Sequence, residues 1–164
     1  MKHPIAEMPN GTLIYVDLVH SPAALHIAAQ PRLVGLVKEA LKNSSLKTPM
    51  VYLEKDMGRD IGYDFVVEAA VSDSIFYAQL LRKNQYTRFV KNKKALPTSY
   101  LTIILQRDDE GSYALHDTWI GRLSPPLPGA TDETPGSKLY WDNHALIFDK
   151  QPLQSRTITR VCPY

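Results

Sequence analysis

Five histidines, His3, His20, His26, His116 and His144, are the side chains of this 164-residue chain best suited to moving protons near neutral pH. No two of them lie three to five residues apart, so neither a helix nor a hairpin offers a preformed zinc pair. Cys162 is the sole cysteine, which rules out an intramolecular disulfide and cysteine-based metal sites. There is no GxSxG elbow, Walker loop or HExxH helix. His26 lies in a helical stretch that ends before Pro31; it reads either as a proton carrier or as a partly buried helix histidine. Arg88 is a cation among strand residues with only basic neighbours, and its alternative is an ion pair with a distant acid such as Glu68 or Asp117. Thr118 sits mid-strand, where threonine is also favoured for shape alone. His116 lies two residues before it and is a second candidate for the same face.

These residues need a scaffold, and the stretch from Tyr86 to Gly121 supplies it. Three runs, 86–91, 99–107 and 113–121, are rich in β-branched and aromatic residues. The last two are joined by Asp108-Asp109-Glu110-Gly111-Ser112, a polar connection of hairpin type. Side chains alternate across a strand, so Leu101, Ile103 and Leu105 share one face. Strict alternation from Leu115 puts Trp119 on that apolar face and leaves Thr118 on the other with Thr102. Phe89 reads as core, which sends Tyr86, Arg88 and Val90 outward. The second face thus presents Arg88, Thr102, His116 and Thr118, and it is the candidate functional face.

Around this block, residues 1–11 read as an irregular lead-in and 12–20 as a strand. Ser21-Pro22 starts a short helix to about Gln30. A second helix from Pro31 carries Leu33, Leu36, Val37, Ala40 and Leu41 at helical spacing. Residues 50–54, 63–71 and 74–81 read as strands. The proline-rich stretch 122–136 reads as a loop beside the functional face. Residues 137–144 read as a short helix in which Trp141 and His144 close the core, 145–148 as a buried strand or helix end, and 157–161 as a last strand. Helices early and strands in the middle imply an α+β fold, a mostly antiparallel twisted sheet with the N-terminal helices packed on one face.

The length fits a single domain, 1–164. A formal charge of +2 is too small to imply a nucleic-acid partner by itself. Its distribution says more, because Arg82, Lys83, Arg88, Lys91, Lys93 and Lys94 form a run without an acid. Such a run is a phosphate footprint or, alternatively, a solvated edge that uses lysine against aggregation. No signal-peptide core and no membrane-length apolar run is present, so the expected location is cytoplasmic, with no membrane partner.

The segment LHIAAQPRLVGLVKEALKN (25–43) resembles the HI…HPEL…I.EAL helix pattern of the barnase/EndoU/colicin/RelE-like superfamily of metal-independent ribonucleases, especially its phage-associated branches. RFVKN (88–92), LTIIL (101–105) and HDTWIGRLSPPLPG (116–129) resemble the strands that follow. The pattern's second histidine is Gln30 here. The resemblance implies a metal-independent endoribonuclease, toxin-like or phage-borne, that cleaves RNA by 2′-OH attack and uses no cofactor or metal. It matches His26 to the helix histidine, Arg88 to the basic strand residue and Thr118 to the hydroxyl residue. In that chemistry His26 moves protons, Arg88 meets the phosphate and Thr118 positions a non-bridging oxygen. Tyr86, Lys91, Lys93 and His116 would line the substrate, with Tyr86 or His116 as second proton carrier. The partners of such a protein are RNA and an inhibitor or immunity protein. The competing reading is a non-catalytic RNA- or protein-binding domain of the same fold.

Overall fold

A computed structural model describes residues 2–17, 26–27, 29–80, 85–148 and 155–164. In chain order the first elements are β1 (Lys2–Glu7), β2 (Leu13–Asp17), α1 (Pro31–Leu41), β3 (Met50–Asp56), β4 (Gly62–Asp64) and β5 (Val66–Glu68). There follow β6 (Ile75–Leu80), β7 (Tyr86–Val90), β8 (Leu96–Thr98), β9 (Tyr100–Arg107) and β10 (Tyr113–Ile120). The last are α2 (Ser137–Trp141), β11 (His144–Ile147) and β12 (Ser155–Thr159). The contacts divide the chain into two compact units, Met1–Gly62 with Thr98–Leu123, and Tyr63–Pro97 with Ser124–Tyr164.

The first unit is built on a five-stranded sheet ordered β1-β2-β10-β9-β3. The β9–β10 hairpin forms because Asp108 closes its turn, its Oδ1 accepting from the backbone N–H of Glu110 at 2.9 Å and of Ser112 at 3.0 Å. Gly111 supplies the left-handed step at φ 85°. Helix α1 starts on Pro31 without a side-chain cap, so packing rather than capping holds it. Its apolar stripe, Leu33, Leu36, Val37, Ala40 and Leu41, shares one core with Leu101, Ile103, Leu105 and Leu115. Each such fully buried Leu or Val contributes about 1.5–3 kcal/mol.

The second unit has its own five-stranded sheet, ordered β12-β6-β7-β11-β5. Both of its faces are apolar: Val67, Val90 and Ala145 cluster on one, and Phe76, Ala78 and Phe89 on the other. Phe76 stacks on Phe89 with centroids 5.2 Å apart. A third sheet pairs β4 with β8.

The expected α+β architecture is overturned. Among the described residues, twelve strands in three sheets stand against two short helices, so the protein is mostly β and is not a sheet under N-terminal helices. The lead-in read as irregular is strand β1, which lies at the sheet edge, where a proline such as Pro4 is tolerated. The single strand read over 63–71 is two three-residue strands, β4 and β5, and β8, also three residues, is too short for periodicity to reveal. The block 86–121 is also split, with β7 in the second unit's sheet and β9 and β10 in the first's. The helix expected over 21–30 falls mostly outside the described residues, of which His26 and Ile27 are helical. No helix among the described residues is long and apolar enough to cross a membrane.

Candidate functional site

Arg88 was expected on a solvent-facing surface, and the structure buries it to 2% exposure. It lies mid-strand in β7, cross-strand from Tyr77, in the centre of the second unit's sheet. Its Nη1 reaches the carbonyl oxygens of Trp141 at 3.1 Å, Asp142 at 3.0 Å, His144 at 3.1 Å and Ala69 at 3.3 Å. The last carbonyls of a helix have no partner within it, and a cation there also meets the negative end of the helix dipole. Arg88 therefore caps α2 and ties its end to β5 and β11. The alternative expected from sequence, an ion pair with Glu68, is not made either: Glu68 is exposed, and its carbonyl oxygen accepts from Lys93 Nζ at 2.9 Å.

Thr118 is likewise turned inward, and a β-bulge is the reason. Leu115 pairs with Leu105, but Asp117, not His116, pairs with Ile104. His116 is the extra residue, exposed at the bulge. Beyond it the alternation is inverted: Thr118 lies opposite Ile103 on the core face, and Trp119 lies opposite Thr102 on the outer face. Thr118 is 5% exposed, and its Oγ1 donates to the carbonyl oxygen of Thr102 at 2.7 Å. Thr102 in turn donates its Oγ1 hydrogen to the carbonyl of Gly121 at 2.9 Å. The hydroxyl expected to steer a phosphate oxygen is thus an internal strand-to-strand bond.

Of the remaining expected residues, His26 is exposed, beside buried Ile27 in the first unit. Tyr86 is half-buried at the start of β7. Lys91 Nζ lies 5.0 Å from the Phe76 ring centroid and 5.9 Å from that of Phe148, a cation–π arrangement. Lys93 reaches Asp73 Oδ2 at 3.4 Å in addition to Glu68. The basic run is therefore largely spent: Arg88 is buried, Lys91 stacked and Lys93 paired, while Lys94 is exposed. Arg82 and Lys83 lie outside the described residues. A shallow depression lined by Ile5, Ala6, Glu7, Pro9, Lys38 and Lys42 contains none of the expected residues.

What sequence reasoning missed is the outer face of the first sheet. The β3–β9–β10 registers align Tyr52 with Ile104 and Asp117, and Glu54 with Thr102 and Trp119. Tyr52 is 60% exposed, and Trp119 is half-buried with its indole N–H donating to the Arg122 carbonyl at 3.1 Å. Arg122 stacks over the Tyr100 ring at 4.4 Å and bonds Glu54 Oε1 through Nη2 at 2.8 Å. The other Glu54 oxygen accepts from the Leu123 N–H at 2.8 Å. The start of the proline-rich loop is thereby fastened to this face. The only signal for it was the bulge, which composition does not reveal.

Burial pushes the Glu54 carboxyl up, but Arg122 and the Leu123 N–H outweigh it and hold the group below the usual glutamate range. A depressed folded-state pKa contributes stability above the unfolded value, and that contribution is lost as pH falls through the folded value. The Trp119 indole N–H resonance is expected to shift in one step below the ordinary glutamate range. Glu54→Gln should abolish the step; its persistence in that variant would detach the indole from this pair.

A second local arrangement was also missed. The His144 ring stacks on Tyr140 at 3.8 Å and 1°, and its Nδ1 lies 2.8 Å from the Tyr140 carbonyl oxygen. A carbonyl can only accept, so Nδ1 carries a proton. His144 begins β11 opposite Glu68, where the sequence read a helix end closing the core. Among the described residues, no three His, Cys, Asp or Glu side chains are grouped to hold a metal ion. No protein-family model, curated protein or solved structure matches the chain.

Proposed function

We propose that this protein is a non-catalytic binding module whose protein partner docks on the outer face of the first sheet. The observation that carries this reading is the commitment of Arg88 and Thr118, 2% and 5% exposed, to backbone carbonyls of their own chain. A phosphate-binding cation and a positioning hydroxyl act only if they reach the substrate. By contrast, Tyr52, Tyr100, Trp119 and Arg122 gather on one face, and Trp, Tyr and Arg dominate the energetics of protein interfaces. Glu54, Asp56 and Asp117 lie on the same face. Such carboxylates repel a nucleic-acid backbone, which favours a protein occupant over RNA.

The test has two arms. Total RNA incubated with the protein in EDTA is expected to remain intact. Cleavage to 2′,3′-cyclic phosphate ends, lost in His26→Ala, would return the ribonuclease reading. In the second arm, proteins photo-crosslinked to the wild type are expected to be lost at least about tenfold in Trp119→Ala, the scale of an interface anchor. Tyr63→Ala, in the other unit, should leave them unchanged. Salt-sensitive binding of labelled RNA that weakens in Lys94→Ala would put RNA in the partner's place.

A further inference from the structure

The two large sheets have four edges, and three of them are protected. Strand β1 carries Pro4 and a register break between Pro4 and Ala6. Strand β12 is broken between Ser155 and Thr157, and β5 is three residues long. Bulges, proline, short length and edge charges are the devices by which sheets avoid pairing with other chains. Strand β3 has no bulge or proline and is not short; its charges, Glu54, Lys55 and Asp56, are all at one end. It runs seven residues, Met50–Asp56, in unbroken register with β9 and ends the sheet order among the described residues.

The hydrogen-bond phase of that register decides which groups face outward. Arg107 N–H donates to the Pro49 carbonyl at 2.7 Å and Met57 N–H to the Ser99 carbonyl at 2.8 Å. Residues of odd number in β3 therefore bond β9, because bonded and non-bonded pairs alternate in an antiparallel ladder. The N–H and C=O of Tyr52 and Glu54 point to the open side. The outward carbonyl of Met50 already accepts from Thr48 Oγ1 at 2.7 Å.

We infer that β3 pairs antiparallel with β3 of a second copy of this chain, across a twofold axis at Leu53. This register places Tyr52 opposite Glu54 of the other copy, and the two exchange both backbone bonds. By symmetry Glu54 does the same with Tyr52, for four bonds in all, drawn from the groups left open. It also sets Lys55 opposite Val51 and Asp56 opposite Met50, so no charge meets its like. An axis at Glu54 would instead oppose the two Glu54 carboxylates, which is destabilising. The interface is isologous, as closed dimers require. It covers Tyr52, which is 60% exposed in the single chain. This inference shares Tyr52 and Glu54 with the face proposed above, but it draws on the open backbone groups of the strand's edge and does not rest on that partner.

Sedimentation of the full chain over a concentration series tests it. The wild type is expected to sediment as a species of twice 18.5 kDa. Tyr52→Lys sets an ammonium against the facing Glu54, and Tyr52→Glu sets a carboxylate there. The glutamate variant should dissociate at least about tenfold more readily than the lysine variant, since opposed charges attract in one case and repel in the other. Tyr52→Pro removes an outward donor without touching the β9 ladder, so it should be monomeric with its thermal transition retained. A monomeric wild type would overturn the inference. So would equal effects of lysine and glutamate, or a folded Tyr52→Pro that remains dimeric.

Discussion

Arg88→Ala is expected to destabilise the second unit by about 3 kcal/mol or more, through lost charge-assisted bonds and the space left behind. For a chain of this size the corresponding fall in Tm is roughly 6–12 °C. The physical reason is that a single Nη1 serves the carbonyls of Ala69, Trp141, Asp142 and His144. Those carbonyls come from the end of α2, the start of β11 and the chain after β5, so one truncation unfastens three segments. Arg88→Lys should recover part of the loss, because an ammonium keeps the charge but not the planar fork. Amide exchange should rise over 141–147 and 86–90 in the alanine variant, with the β9–β10 hairpin of the other unit less affected. If Arg88→Ala keeps the wild-type Tm and loses an activity instead, the capping role is wrong and the arginine faces a ligand.

The second large effect concerns register. Deletion of His116 is expected to be tolerated, with Tm within a few degrees of wild type. Removing the bulged residue leaves every strand pair, Leu115 with Leu105 and Asp117 with Ile104 onward, in place. Deletion of Thr118 is expected to abolish cooperative folding of the first unit or to lower its stability by several kcal/mol. It would bring Trp119 to the position opposite Ile103 and turn Ile120 out of the core, since a one-residue slip moves every side chain to the opposite face. A thermal melt of the two deletions side by side is sufficient. Equal damage from both would mean that His116 is held by contacts of its own and is not merely an extra residue in the strand.

Much of the strand content was legible from local chemistry. The runs around β6, β7, β9 and β10 announce themselves through β-branched and aromatic residues, and α1 through Pro31 and the Leu33-to-Leu41 spacing. Asp108 and Gly111 marked the hairpin turn correctly because turn chemistry acts over four or five residues. Leu101, Ile103, Leu105 and Leu115 were placed on the buried face by alternation, and all four are core residues.

The exposure expected of Arg88 and Thr118 is overturned by partners that are distant in sequence or lie on another strand. Whether Arg88 faces water or carbonyls depends on Ala69 and on residues 141–144, about 19 and 53–56 positions away. Those groups are backbone atoms, which every residue carries, so no side-chain pattern marks them. The bulge at His116 is likewise a property of how β10 lies against β9, and two strands of unequal count look the same as two equal ones until they are paired. Sequence by itself determined that these segments are strands and which residues of each are apolar. The tertiary structure alone decided which sheet each strand joined, which way Thr118 and Trp119 turned, and that Arg88 meets backbone carbonyls rather than water. The cause is physical: propensity and alternation are set within a strand, whereas burial and hydrogen-bond satisfaction are set by whatever chain packs against it.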